Sequence, residues 1–335
     1  MANVERTVAV IGAGAIAGHH FGAIAGMKGL RACAVADLNA VRAEELAAQF
    51  GVAAYRDYRE MIRSERPDIV AIALPHYLHK EAALFAASYG CHMMLEKPMA
   101  LSAAECDEII HAARLADVRV LVGHTQHYMA ENIMAKTMID SGAIGSLVMM
   151  NDIRHMDYYR SSRPDWFLEK TKSGGGILAN LGTHSIDKIQ WLAGSAVRKV
   201  NASVSYHGSR GNVEGSGLVY LELENGMPAT IAQAGYNGAA RNETEIIGTK
   251  GMLKLMTGDS LWVSTGGPYE QVDVPRSAAP FELQYGDLLQ AIAGGGETSC
   301  PPKYGRDVIR VLETVYASAA SGKEQYMEGG DATSM

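Results

Sequence analysis

Lys97 is the residue in this chain whose setting most invites chemistry. It stands in His92-Met93-Met94-Leu95-Glu96-Lys97-Pro98, where an apolar run ends in an acid, a base and a proline. Pro98 has no backbone N–H and biases the residue before it toward an extended conformation, so a strand should end here. That puts Lys97 at the mouth of a buried strand, either paired with a carboxylate such as Glu96 or driven toward its neutral form. A neutral lysine beside an oxidised nicotinamide can take the proton of a substrate hydroxyl. The simpler alternative is a surface salt bridge at a strand end, and the rest of the chain has to decide between the two.

A second constellation is Gly174-Gly175-Gly176 followed by Asn180, His184 and Asp187. Spacings of four and three put these polar residues on one face of a helix expected over 177–192. The structural alternative is a helix packing polar groups at an interface, with His184 satisfied by Asp187. A convincing third ligand is missing, and Cys33, Cys91, Cys106 and Cys300 form no CxxC or Cys/His spacing. No metal site is expected, and the cysteines read as free thiols. Upstream, Arg154, Tyr158, Tyr159, Arg160, Arg163 and Trp166 gather aromatic and cationic groups. Such rings stack on the C–H faces of sugars, and guanidinium groups bind hydroxyls or an anionic substituent. The same arginines could instead simply solvate a loop.

The elements that must position these residues begin with a β-branched strand over 7–11. It runs into Gly12-Ala13-Gly14-Ala15-Ile16-Ala17, the G-x-G-x-x-A form of the dinucleotide fingerprint. Gly12 permits the tight turn, Gly14 admits a pyrophosphate, and Ala17 keeps the next helix close to the strand. The helix start offers N–H groups and a positive dipole end to phosphate. A second strand over 31–36 closes on Asp37, placed to accept hydrogen bonds from an adenosine ribose diol and to repel a 2′-phosphate. NAD is therefore favoured over NADP, with Arg42 the one feature that speaks for NADP. Asp37 could also cap a helix starting at Ala40.

Further apolar strands over 68–74, 91–95 and 119–122 alternate with helices over 41–50, 58–65, 77–89 and 103–116. Continuous apolar strands separated by helices argue a parallel, doubly wound sheet, whose ligands sit at the carboxyl ends of the strands. Gly12, Asp37, Pro75, Lys97 and Gly123 would share that edge. After Gly123 the pattern changes. A helix over 130–141 and a strand over 146–153 precede the aromatic and basic stretch. Five strands over 199–206, 217–224, 229–234, 243–248 and 252–256 follow, divided by turn signals. The fold class is therefore α/β. A Rossmann domain over 1–123 precedes an α+β domain over 124–335, with a large, mostly antiparallel open sheet and closing helices within 281–320. Its uncovered sheet face makes oligomerisation a natural solution.

The 335 residues, 47% hydrophobic and 20% charged, suit two soluble globular domains. A net charge of −7 argues against a general nucleic-acid or anionic-membrane surface. No apolar run reaches membrane-spanning length and no signal peptide is read, so the cytoplasm is the expected compartment.

Taken in order, four features resemble the Gfo/Idh/MocA family of sugar and polyol oxidoreductases over nearly the whole length. They are the glycine motif, Pro75 with His79, Glu96-Lys97-Pro98, and the triple glycine with Asn180 and His184. The resemblance implies NAD(P) dependence and homodimers or homotetramers. It makes Lys97 the catalytic lysine and His184 the residue that binds or deprotonates the reacting hydroxyl. The candidate cofactor residues are Gly12, Gly14, Ala15, Ile16, Asp37, Pro75, His79, Glu96 and Lys97. The candidate substrate residues are Lys97, His127, Tyr158, Arg163, Trp166, Asn180 and His184. Two positions depart from the family pattern. Many polyol dehydrogenases carry Asp where Asn180 stands, and an amide cannot titrate. Members often have Arg near His127. The reaction implied is oxidation of a secondary alcohol of a sugar, sugar derivative or cyclic polyol. Two rivals share the fold: a glycoside-cleaving enzyme using tightly bound NAD, and a non-catalytic NAD-binding regulator.

Overall fold

The computed structural model describes residues 5–276 and 278–327. Its first sheet contains β1 (Arg6–Ile11), β2 (Leu30–Ala36), β3 (Ala53–Tyr55), β4 (Ile69–Ile72), β5 (His92–Leu95) and β6 (Val120–Val122). The strands are ordered β3-β2-β1-β4-β5-β6, and every pair is parallel. The helices between them are α1 (Ala17–Gly26), α2 (Ala40–Phe50), α3 (Tyr58–Glu65), α4 (His79–Ser88) and α5 (Ala103–Leu115). Ile69–Ile72 and Met93–Leu95 are wholly buried, as a sheet covered on both faces requires. The order reverses between β1 and β4, the switch point at which such sheets bind dinucleotides.

The second sheet is built on β7 (Leu147–His155), which follows α6 (Ala130–Asp140). After it come α7 (Lys170–Ser173), a π turn over Leu178–Gly182, and α8 (Thr183–Ala193). The strands that follow are β8 (Val197–Ser205), β9 (Ser216–Leu223), β10 (Pro228–Ala234), β11 (Arg241–Gly248), β12 (Met252–Met256), β13 (Ser260–Ser264) and β14 (Glu270–Gln271). Then come α9 (Pro280–Gln290), α10 (Pro302–Ser321) and β15 (Gln325–Tyr326). The nine strands are ordered β14-β13-β12-β11-β7-β10-β9-β8-β15, antiparallel except where β10 runs parallel to β7. In β10, Ala229, Ile231 and Gln233 are buried, while the alternate residues stay half-exposed. This is the alternation of a sheet covered on one face.

Two compact units result. One takes the described residues up to Thr125 together with 278–306, and the other takes Gln126–Arg276 and 307–327. The closing segment expected within the second domain is thus divided. Helix α9 packs on α1, where Tyr285 reaches His20 and the Phe281 ring stacks on His19. That contact is formed across more than 250 residues of chain, which no local pattern reveals.

Candidate active site

In the first unit, Gly12, Asp37, Pro75, Lys97 and Gly123 all follow the C-terminal ends of strands of one parallel sheet. Gly12 has φ +100°, and a Cβ there would fall 2.3 Å from the Ala73 carbonyl oxygen, so only glycine fits between β1 and β4. Gly14, Ala15 and Ile16 are exposed, and nothing lies within 4 Å of a Cβ placed on Gly14. Helix α1 has no side-chain cap and no acid in its first turn. Its first N–H groups are thus left without a side-chain cap, which fits a pyrophosphate. Asp37 accepts from Ala13 N and Asn39 N, both at 2.8 Å, tying the glycine loop to the exit of β2. The cap of α2 is Asn39, which accepts from Arg42 N, so Asp37 does not fill the capping role open to it in the sequence. These features fit an adenosine dinucleotide.

Strand β5 ends at Leu95, and the Lys97–Pro98 peptide bond is cis. Lys97 is half-buried. Glu96 turns inward: His20 Nε2 lies 3.3 Å from its Oε1, and its Oε2 accepts from Lys97 N at 3.3 Å. His20 is fully buried, and its Nδ1 sits 3.1 Å from the Tyr285 hydroxyl. Burial opposes ionisation of Glu96, but His20 and the Lys97 charge outweigh it and hold the carboxyl below its usual range. Tyr285, His20 and Glu96 thus form a buried chain ending on the backbone of Lys97. His20 and Tyr285 were not among the sequence candidates. The available signal was a histidine one turn past the glycine motif, on a helix that must pack against the sheet.

His79 is fully buried and does not lie open to a ligand. Its Nδ1 is 2.9 Å from Pro98 O and its Nε2 2.8 Å from Leu74 O, so it clamps the exits of β4 and β5 together. Burial pushes its pKa down despite those carbonyls.

In the second unit the triple glycine is held from several directions. Glu214 accepts from Gly176 N at 2.8 Å, Leu178 N at 3.0 Å and the Tyr316 hydroxyl at 2.9 Å. Burial raises its pKa against these donors. A Cβ on Gly175 would meet the Tyr316 hydroxyl, and one on Gly176 would fall 2.0 Å from Glu214 O. The turn leads into the π turn that carries Asn180, and then into α8. Between Gly175 and Gln190 every residue is buried except His184, which is half-exposed.

Asp187 is fully buried. Its Oδ1 receives His127 Nε2 at 2.6 Å, and the His127 ring stacks on Trp191, one turn further along α8, at 4.6 Å and 16°. His127 is therefore buried in this clamp. Behind α8, Lys188 Nζ lies 2.7 Å from Asp152 Oδ2, which also accepts from Thr244 Oγ1; Asp152 Oδ1 accepts from Ser185 Oγ. Burial disfavours the Asp152 charge, but Lys188 and the hydroxyls overcome it and keep the carboxyl below its usual range.

Tyr158 is fully buried, donates to Gly176 O at 3.1 Å and is also bonded by the Asn180 side chain. Arg163 covers its ring at 4.0 Å, while Trp166 stacks on Phe167. A cavity of about 400 Å³ lined by Asp259, Gln271, Asp273 and Arg276 holds none of the candidate residues. Among the described residues, no group of three or more His, Cys, Asp or Glu is arranged to hold a metal ion.

A six-stranded 3-2-1-4-5-6 sheet with this glycine loop defines a dinucleotide-binding oxidoreductase class. Residues 6–124 match the Gfo/Idh/MocA oxidoreductase family with its NAD-binding Rossmann fold, and 133–254 match that family's C-terminal domain. The chain belongs to the Gfo/Idh/MocA family. It is 28% identical over 217 residues to a 1-carboxy-3-chloro-3,4-dihydroxycyclohexa-1,5-diene dehydrogenase of Comamonas testosteroni, covering 64% of this chain and 54% of that protein. The chain spans about half the length of the first such curated relatives it matches. An inositol 2-dehydrogenase of Salmonella paratyphi B is 27% identical over 301 residues, 85% of each chain. The structure of an aldose-aldose oxidoreductase from Caulobacter crescentus, complexed with glycerol, superposes with a TM-score of 0.89 at 25% identity, covering 96% of this chain and 99% of that one.

Proposed function

We propose that this protein is an NAD-dependent dehydrogenase that oxidises a secondary alcohol of a sugar, sugar derivative or cyclic polyol to a ketone. When bound, NAD⁺ supplies the acceptor for the hydride leaving the alcohol carbon. The hydroxyl proton leaves on a base of the chain, giving ketone, NADH and H⁺. Lys97 is that base, and His184 binds the reacting hydroxyl, with Asn180 donating to and accepting from a neighbouring one. Asp37 receives the adenosine ribose, and Gly14, Ala15 and Ile16 receive the pyrophosphate at α1. Glu96 and His79 act from behind, setting the backbone on which Lys97 stands. The division of labour follows: the chain to Thr125 carries the cofactor and 126–276 carries the substrate residues.

The observation that carries this reading is the emergence of Lys97 on the same sheet edge as the uncapped glycine loop and Asp37. The relatives named above act on ring polyols or aldoses. A cytoplasmic homodimer or homotetramer completes the proposal. Its support is the open face of the second sheet, where Leu218, Ala232 and Ile153 are cross-strand neighbours and Leu218 and Tyr220 are exposed. All four cysteines are free thiols, as a reducing compartment allows. The test is a panel of sugars and inositols with NAD⁺, read as NADH absorbance. NADH formation with at least one ring polyol is expected. A silent panel with NAD⁺ demonstrably bound would refute the reading, and turnover without net NADH would point to transient oxidation instead.

A further inference from the structure

Three arginines of the aromatic stretch have different fates. Arg160 is exposed and Arg154 half-buried. Arg163 retains only 5% of its surface, so it is not a loop-solvating residue. Its Nε is enclosed without a hydrogen-bond partner, and among the described residues Arg163 forms no ion pair. The acids that could have neutralised it are committed elsewhere. Asp165 holds Arg210 at 2.5 Å, Glu169 holds Lys172 at 2.7 Å, and Glu214 is spent on Gly176 N, Leu178 N and the Tyr316 hydroxyl. Asp157 is exposed and acts on Arg163 only through its field. What Arg163 has instead is aromatic: the Tyr158 ring at 4.0 Å and the Phe167 ring at 5.1 Å. Two such faces return less than the loss of its water costs. Among the described residues, no anion is paired with this buried cation.

Its position says which anion. The ring beneath Arg163 is that of Tyr158, whose hydroxyl bonds Gly176 O and the Asn180 side chain. Arg163 is thus one ring removed from the turn that carries Asn180 and leads to His184. We infer that Arg163 is the acid-recognition residue of the substrate site, and that the physiological substrate is a polyol or sugar bearing a carboxylate. The planar fork receives the carboxylate bidentately, which orients the ring relative to Asn180 and His184. One relative, the dehydrogenase of Comamonas testosteroni, is named for a carboxylated ring diol. This inference rests on the dehydrogenase reading above and gives it a substrate class.

The test pairs D-glucuronate with D-glucose, D-galacturonate with D-galactose, and quinate with myo-inositol. NADH formation is followed for the wild type, Arg163→Met and Arg163→Lys, each checked for folding by its melting curve. Binding of the same compounds to the NADH-loaded protein is measured by calorimetry. The wild type should favour the acid of at least one pair by roughly tenfold or more. Arg163→Met should bring that ratio close to one, and Arg163→Lys should leave it in between, because an ammonium keeps the charge without the fork. If Arg163→Met fails to fold, the fall in Arg163→Lys decides. A wild type that binds acid and neutral partners equally, or no acid at all, would overturn the inference, as would a ratio unchanged in the variants. Failure of the dehydrogenase reading looks different: no compound yields NADH, while the calorimetric ratio still reports on Arg163.

Discussion

Asp37 has a structural role that is seen and a cofactor role that is proposed. It bonds Ala13 N and Asn39 N, which holds it at the exit of β2 beside the glycine loop. Asp37→Ala removes the negative charge that would repel a 2′-phosphate. The ratio of NAD to NADP affinity should fall about tenfold or more in that variant, measured by titrating each cofactor. An unchanged ratio would remove Asp37 from the cofactor site. The type and place of Asp37, Lys97, His184 and the glycines were legible because each stands at a boundary: a strand end, a turn or a helix start. Partnerships were not. Asp187 pairs with His127 sixty residues away, and His20 with Glu96 and Tyr285, and no spacing rule connects such pairs.

At the scale of elements, two glycines from two loops should behave differently. Gly176→Ala places a Cβ 2.0 Å from Glu214 O, so the turn must shift. Destabilisation of about 1–3 kcal/mol is expected from such overpacking, together with a loss of activity because the turn leads to Asn180 and His184. Gly14→Ala meets nothing within 4 Å and should leave stability in urea unchanged while weakening NAD binding. Equal unfolding curves for Gly176→Ala and wild type would contradict the role of the turn. The buried strands of the first sheet were readable as apolar runs. Strand β3, three partly exposed residues, carries no such pattern and exists through its pairing with β2. Nor did periodicity betray the π turn, since a sequence spaced for an α-helix accommodates one extra residue without a composition signal.

For the whole molecule, acid stability follows from the buried carboxylates. Asp152 and Glu96 have folded pKa values below their usual ones. Their contribution is present above the unfolded value and is lost as pH falls through the folded one. Glu214 is shifted upward, so its contribution is present at low pH and lost as pH rises. Asp152→Asn should cost about 3–5 kcal/mol at pH 7, because it leaves Lys188 buried without its counter-charge. It should also flatten the acid decline of the melting temperature. A variant melting like wild type at pH 7 would mean that Lys188 finds another partner. The two-part plan was visible in the change of pattern near Gly123. The return of 278–306 to the first unit was hidden, because α9 reads as an ordinary helix and its partner α1 lies near the other end of the sequence.

The proposed function turns on Lys97 as the base beside a bound nicotinamide. The decisive comparison is Lys97→Ala against wild type on the best polyol of the panel, with NAD⁺ binding measured in parallel by calorimetry. NAD⁺ affinity within about threefold of wild type and kcat reduced by about 10²–10⁴-fold is the predicted result, the range expected for loss of a general base. A Lys97→Ala enzyme that keeps its kcat would contradict it.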